Sequence, residues 1–160
     1  MGSSPGTVAA VFCAFCVFWV LCLSLPPGRR DPLSIHRNHL VHACLASLLS
    51  VLAVFELAPD LLAVCCLTSY FWVDLCNILL NDWLLPSRSK QQPLNRALEY
   101  VHHAFMLFAA LLAAAGGAEM CDMRVSPVAY LAINEFSTIF LQLFRIYKHP
   151  VLGLAFALSF

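Results

Sequence analysis

Residues 36–80 read HRNHLVHACLASLLSVLAVFELAPDLLAVCCLTSYFWVDLCNILL, two apolar runs divided by the short break ELAPD. Each run approaches the ~20 residues that a helix rising 1.5 Å per residue needs to cross a ~30 Å hydrocarbon layer. Pro59 and Asp60 in the break end one helix and open the next. The stretch therefore reads as two membrane-crossing helices joined by a tight return.

The same pattern continues outward on both sides. Apolar runs fall at residues 7–25, 39–57, 61–80, 97–115 and 127–144, separated by PPGRRDP, ELAPD, LPSRSKQQPLN and GGAEMCDMRVSP. A sixth run starts at Pro150 and reaches Phe160, long enough for about half the hydrocarbon. Hydrophobic residues make up 61% of the chain and charged ones 11%, against roughly 25% charged in a soluble domain. The mean hydropathy is +0.81. The expected fold is all-α: a polytopic membrane bundle of five full transmembrane helices plus a partial sixth. Residues 1–34 would form an N-terminal anchor and cytoplasmic loop, and residues 35–160 the main domain. The first run has no basic residue before it, so it reads as a retained anchor rather than a cleaved signal.

Zero net charge and scattered basic residues exclude a nucleic-acid footprint. The cysteines do not read as a disulfide framework, because Cys13, Cys16, Cys22, Cys44, Cys65, Cys66 and Cys76 lie within apolar runs and only Cys121 in a loop. Such thiols pack as small hydrophobes, and Cys13-x-x-Cys16 lacks the strand–helix setting of a redox motif.

Basic residues set the orientation. Arg29, Arg30 and Arg37 follow the first run, Arg88, Lys90 and Arg96 the third, and Arg145 and Lys148 the fifth; Arg124 alone falls on the other side. The N-terminus is thus expected in the lumen.

That orientation gathers the polar residues of the apolar runs into one half of the membrane. Tyr70, Asp74 and Asn77 are spaced i, i+4, i+7 and share a helical face. His102 and His103 lie in the first turns of the fourth run, with Glu99 one turn before His103. Glu135, Thr138, Gln142 and Arg145 form a stripe on the fifth. Ionisable groups in hydrocarbon cost ~2.5–3.5 kcal/mol each and face the bundle interior. A polar chamber open to the cytoplasm follows, in which His102 or His103 serves as general base or nucleophile. The alternative is interhelical hydrogen bonding worth about 0.6 kcal/mol per contact, the favoured reading for Asp74, Asn77 and Gln142. His36, His39 and His42 recur every third residue, but steps of three drift about 60° over two steps. With no Cys or carboxylate beside them in sequence, they read as a polar collar at headgroup level rather than a zinc site. No metal is expected.

The segments TSYFWVDLCNILL, YVHHAFMLFAALLAA and YLAINEFSTIFLQLFRIYKHP, in this order, resemble the TLC domain, with HRNHLVHACLASLLS similar to its second span. The likeness covers roughly residues 35–150. This family includes ceramide synthases, translocation-associated membrane proteins and TLC-domain-containing lipid-homeostasis proteins. The resemblance implies a helical barrel around a lipid-accessible chamber, located in the endoplasmic reticulum or else the plasma membrane. By likeness to ceramide synthases, His102 and His103 would be catalytic in N-acylation, with acyl-CoA as co-substrate and no bound cofactor. Thr138 stands where those enzymes have a second acid, and Leu45 and Ala46 lie near the place of their His-Ser pair. Thr138 and the Y-F-x-x-D step ending at Asp74 bring the chain closer to the non-synthase members. Three functions are therefore implied: control of membrane lipid composition first, ceramide-synthase-like acyl transfer second, and escort of cargo proteins third. The partners would be membrane lipids and, for a short barrel, a homo- or hetero-oligomer.

Orientation is directly testable. A glycosylation acceptor introduced near Glu119 is expected to be modified in microsomes, and one near Ser89 to stay unmodified. The reverse pattern inverts the topology.

Overall fold

The computed structural model describes residues 4–24, 32–84, 93–116 and 135–159, and every regular element among them is an α-helix. The helices are α1 (Pro5–Ser24), α2 (Pro32–Val54), α3 (Asp60–Leu84), α4 (Pro93–Gly116), α5 (Glu135–Tyr147) and α6 (Pro150–Leu158). Proline opens four of them, where its missing N–H costs nothing and its fixed φ suits the first turn. Ser4 caps α1, its hydroxyl accepting the Thr7 N–H at 3.2 Å.

The turn between α2 and α3 is closed by backbone hydrogen bonds. The Leu57 N–H donates to the Leu52 carbonyl at 2.7 Å and the Glu56 N–H to the Ala53 carbonyl at 3.0 Å. Glu56 takes φ 58° to allow this, the left-handed position at which helices usually place glycine. Lys148 ends α5 similarly at φ 55°, its N–H donating to the Phe144 carbonyl at 2.7 Å. Pro150 then starts α6, which packs back on α5.

Three helical segments are long and apolar enough to cross a membrane: Pro5–Cys22, His36–Val54 and Asp60–Leu80. This confirms helices for the first three expected spans but not five complete crossings. α4 covers the fourth expected run. The fifth is described only from Glu135, since residues 127–134 of that run lie outside the described residues. Arg29, Arg30, Arg88, Lys90, Cys121 and Arg124 also fall outside them. The seven described cysteines are free thiols, as expected of packing residues.

The bundle exposes large apolar side chains and buries several polar ones beside an apolar core. Leu21, Leu48, Trp72, Leu80, Phe105 and Phe108 are exposed, while His42, Asp74, His103, Glu135 and Gln142 are buried. That arrangement suits a hydrocarbon solvent, where apolar side chains gain nothing by burial and polar ones must find partners within the protein.

Close approach of the helices makes the interior. α2 packs against α3 and α5, and α3 also carries α1 and α4. The inner face of α2 below His42 is a row of small residues, Ala43, Ala46, Ser47, Ser50 and Ala53, all buried. Their size lets backbones approach, which is the main source of helix association in lipid. Trp19 of α1 fills the remaining space, fully buried against Ala46, Cys66, Leu67 and Tyr70. Its indole N–H donates to the Cys66 carbonyl at 3.3 Å.

Ala46→Leu inserts three carbons where α2 meets that tryptophan. It is expected to cost ~1–3 kcal/mol by overpacking, read as a lower thermal midpoint of the purified protein. An unchanged midpoint means that the small-residue contact is not what holds the helices.

Candidate functional site

Two histidine–carboxylate contacts sit in the bundle interior. On one side, His103 of α4 meets Asp74 of α3, with Nε2 2.8 Å from Oδ2. Both are almost inaccessible, at 4% and 6% exposure. On the other, His42 of α2 lies with Nδ1 4.0 Å from Oε2 of Glu135 on α5. That separation is too long for a hydrogen bond. Glu135 is also hydrogen-bonded by the side chain of Thr138, one turn along α5.

Aromatic rings join the two sides. Tyr70 stacks on His42, with centroids 3.7 Å apart and planes at 14°. Its hydroxyl is 2.8 Å from Nδ1 of His39. Phe71, the next residue, lies edge-on to His42, His102 and His103 at 5.5, 5.4 and 5.2 Å. Trp19 closes the inner end, edge-on to both His42 and Tyr70. Toward the opposite end of α2, His36 Nδ1 is 3.0 Å from Gln142 Oε1. The pairings His36 with Gln142 and His42 with Glu135 run in opposite chain directions, so α2 and α5 are antiparallel neighbours.

Most of the residues singled out from sequence meet here. Tyr70, Asp74, His103, Glu135, Thr138 and Gln142 belong to this cluster. His102 and Asn77 are exposed instead. The histidines at 102 and 103 project ~100° apart on α4; their rings meet edge-on at 5.6 Å and both pack on Phe71, while the second also binds Asp74. Asn77 shares the face of Tyr70 and Asp74 but lies one turn farther along α3. The side chain of Glu99 lies outside the described residues. Arg145 is exposed at the far end of the α5 stripe.

The collar reading of His36, His39 and His42 is corrected. His42 is 2% exposed, His36 and His39 are half-buried, and all three touch side chains of α3 or α5. A ladder that drifts by 60° still faces inward along its length because α2 has neighbours on two sides. Composition gave the missed signal: imidazoles in an apolar helix require partners, and α3 and α5 carried the complementary hydroxyl, amide and carboxylate.

Energetics separate His42 from ordinary helix glue. Its Nε2 has no hydrogen-bond partner, nor do the buried hydroxyls of Ser47 and Ser50. An unsatisfied buried polar group costs ~1–3 kcal/mol, more than the ~0.6 kcal/mol an interhelical contact returns on average. Stability alone does not account for an imidazole there. Among the described residues no group of three or more His, Cys, Asp or Glu is arranged to hold a metal ion. Chemically, a buried carboxylate beside an imidazole can orient its tautomer and hold a proton for transfer, as general acid–base sites require.

Neither a family model, nor a curated protein, nor a solved structure matches this chain.

Removing one partner separates the two adjacent histidines. His103→Ala leaves the Asp74 carboxyl buried without its imidazole and is expected to cost ~3–5 kcal/mol. His102→Ala, at an exposed position, is expected to stay within about 0.5 kcal/mol. Thermal or denaturant unfolding of both variants checks this, and equal losses would refute the asymmetry.

Proposed function

We propose that this chain is a multi-pass membrane protein of the TLC-domain type that acts on membrane lipids and thereby shapes lipid composition. The observation that carries the reading is the buried Asp74–His103 contact, 2.8 Å long, between two helices of a bundle with an apolar exterior. An ionisable pair held at that cost within membrane-type helices marks a functional site rather than a structural accident. The TLC-like segments around Asp74, His103 and Glu135 supply the substrate class, a lipid entering sideways from the bilayer.

In this reading α4 and the run ending in α5 complete the fourth and fifth crossings, with the N-terminus in the lumen. The endoplasmic reticulum is the first location and the plasma membrane the second. The polar cluster opens toward the cytoplasm, the side on which Arg37, Arg145 and Lys148 are exposed.

A second reading is acyl-CoA-dependent N-acylation of a long-chain amine, as in ceramide synthases. The Asp74–His103 contact favours it, because a carboxylate-oriented imidazole is suited to take a proton from an attacking amine. Against it, Thr138 holds the place of a second acid and hydrogen-bonds Glu135. The exposed His102 would then bind or orient the acyl donor rather than share its neighbour's role.

Lipid profiling of cells expressing wild type, Asp74→Asn and His103→Ala at matched protein levels tests both readings. A shift in phospholipid or sphingolipid composition that disappears in both variants is the expected outcome. New ceramide or another N-acylated product that disappears with them selects the acyltransferase. Profiles identical to cells lacking the protein overturn the lipid reading and turn attention to protein cargo.

A further inference from the structure

The three histidines of α2 remain outside the chemistry assigned to Asp74 and His103, yet each is engaged in the interior. They rise along the helix at ~4.5 Å intervals. His36 lies at the end where Arg37, Arg145 and Lys148 are exposed, and pairs with Gln142. His39 is next, hydrogen-bonded to the Tyr70 hydroxyl at 2.8 Å. His42 is innermost, stacked on the same tyrosine and 4.0 Å from Glu135. Asp74 is one helical turn beyond Tyr70 on the same face and binds His103.

We infer that His36 and His39, with Tyr70, form a proton-delivery line from the basic end of the bundle to the buried carboxylate of Asp74. Every member of the line carries both a site that takes a proton and one that releases it, which imidazole and phenol do and a purely apolar or amide contact does not.

The transfer balances without any co-reactant other than water. With His39 protonated at Nδ1, that N–H donates to the Tyr70 oxygen. A proton arriving from water or His36 forms an N–H bond at His39 Nε2. The Nδ1 proton then moves to the Tyr70 oxygen while the original Tyr70 O–H proton leaves, through a bridging water, for the Asp74 carboxylate. One N–H and one O–H bond break, and one of each forms within the line. His39 ends neutral in its other tautomer, Tyr70 is again a phenol, and Asp74 holds the proton beside His103.

The charged surroundings act on each rung. His39 faces Asp74 of α3, His103 of α4, Arg145 of α5 and His36 of its own helix. His42 faces His39, both histidines of α4 and Glu135 of α5. Tyr70 faces Asp74 and Glu135. The exposed cations lie at the outer end and Glu135 at the inner end, while Asp74 is one turn of α3 from Tyr70 back toward the outer end, because α3 returns antiparallel to α2. The inference stands on this geometry and not on the lipid reading, and its readout needs no lipid product.

The test uses the full chain in lipid nanodiscs. A photolysed caged acid releases protons, and time-resolved infrared absorption follows protonation of Asp74, identified by the band lost in Asp74→Asn. Tyr70→Phe keeps the ring on His42 and removes only the hydroxyl. His39→Asn keeps an amide able to hydrogen-bond Tyr70 but unable to pass a proton. Each is expected to slow Asp74 protonation about tenfold or more, with the equilibrium titration of the band retained. A purely structural role for His39 predicts that the amide preserves the rate. Wild-type rates in His39→Asn overturn the inference even if Tyr70→Phe does not fold, and so does an Asp74 band that never responds to pH.

Discussion

A bundle with an apolar exterior must satisfy its polar side chains internally, because hydrocarbon offers them nothing. The contact between Asp74 and His103 shows that constraint most directly, joining α3 to α4 through two almost inaccessible groups. The remaining polar contacts are arranged around it. Tyr70 and Phe71, on the same helix as Asp74, carry the aromatic packing that reaches His39, His42 and His102. Glu135 and Gln142 on α5 meet His42 and His36.

α2 is divided between two tasks. Its first turns bear the histidines and pack through polar contacts, while the turns after His42 are lined by alanine and serine and pack through close approach. Trp19 lies where the two halves meet, donating its N–H to Cys66 and presenting its edge to His42 and Tyr70. The small residues thus set the helix spacing that lets the ring of Tyr70 stack on His42. Changes far down α2 are therefore coupled to the polar cluster through one buried tryptophan.

Much of this was legible in the sequence because it depends on local pattern. The α2–α3 return follows from Pro59 and the lengths of the runs beside it, and the four proline-led helix starts follow from composition. The shared face of Tyr70 and Asp74 follows from helical spacing. What spacing within one helix does not reveal is which faces meet. That Asp74 takes His103, while the more exposed His102 meets only the edge of Phe71 and its neighbour's ring, depends on how α4 is rotated against α3. Asn77 has the same angular position as Tyr70 and still lies exposed a turn away. The inward place of the α2 histidines is hidden for a related reason: a drift of about 60° argues against one flat contact, but not against a helix embraced by both α3 and α5.

The account rests on a direct hydrogen bond between α3 and α4 inside the bundle. Solid-state NMR on the chain in bilayers, with ¹³C in the Asp74 carboxyl and ¹⁵N in the His103 ring, measures it. The account predicts strong dipolar coupling to the Nε2 nitrogen, as a 2.8 Å contact to Oδ2 requires. Absence of coupling to either ring nitrogen would contradict it, since α3 and α4 would then not be joined by this pair.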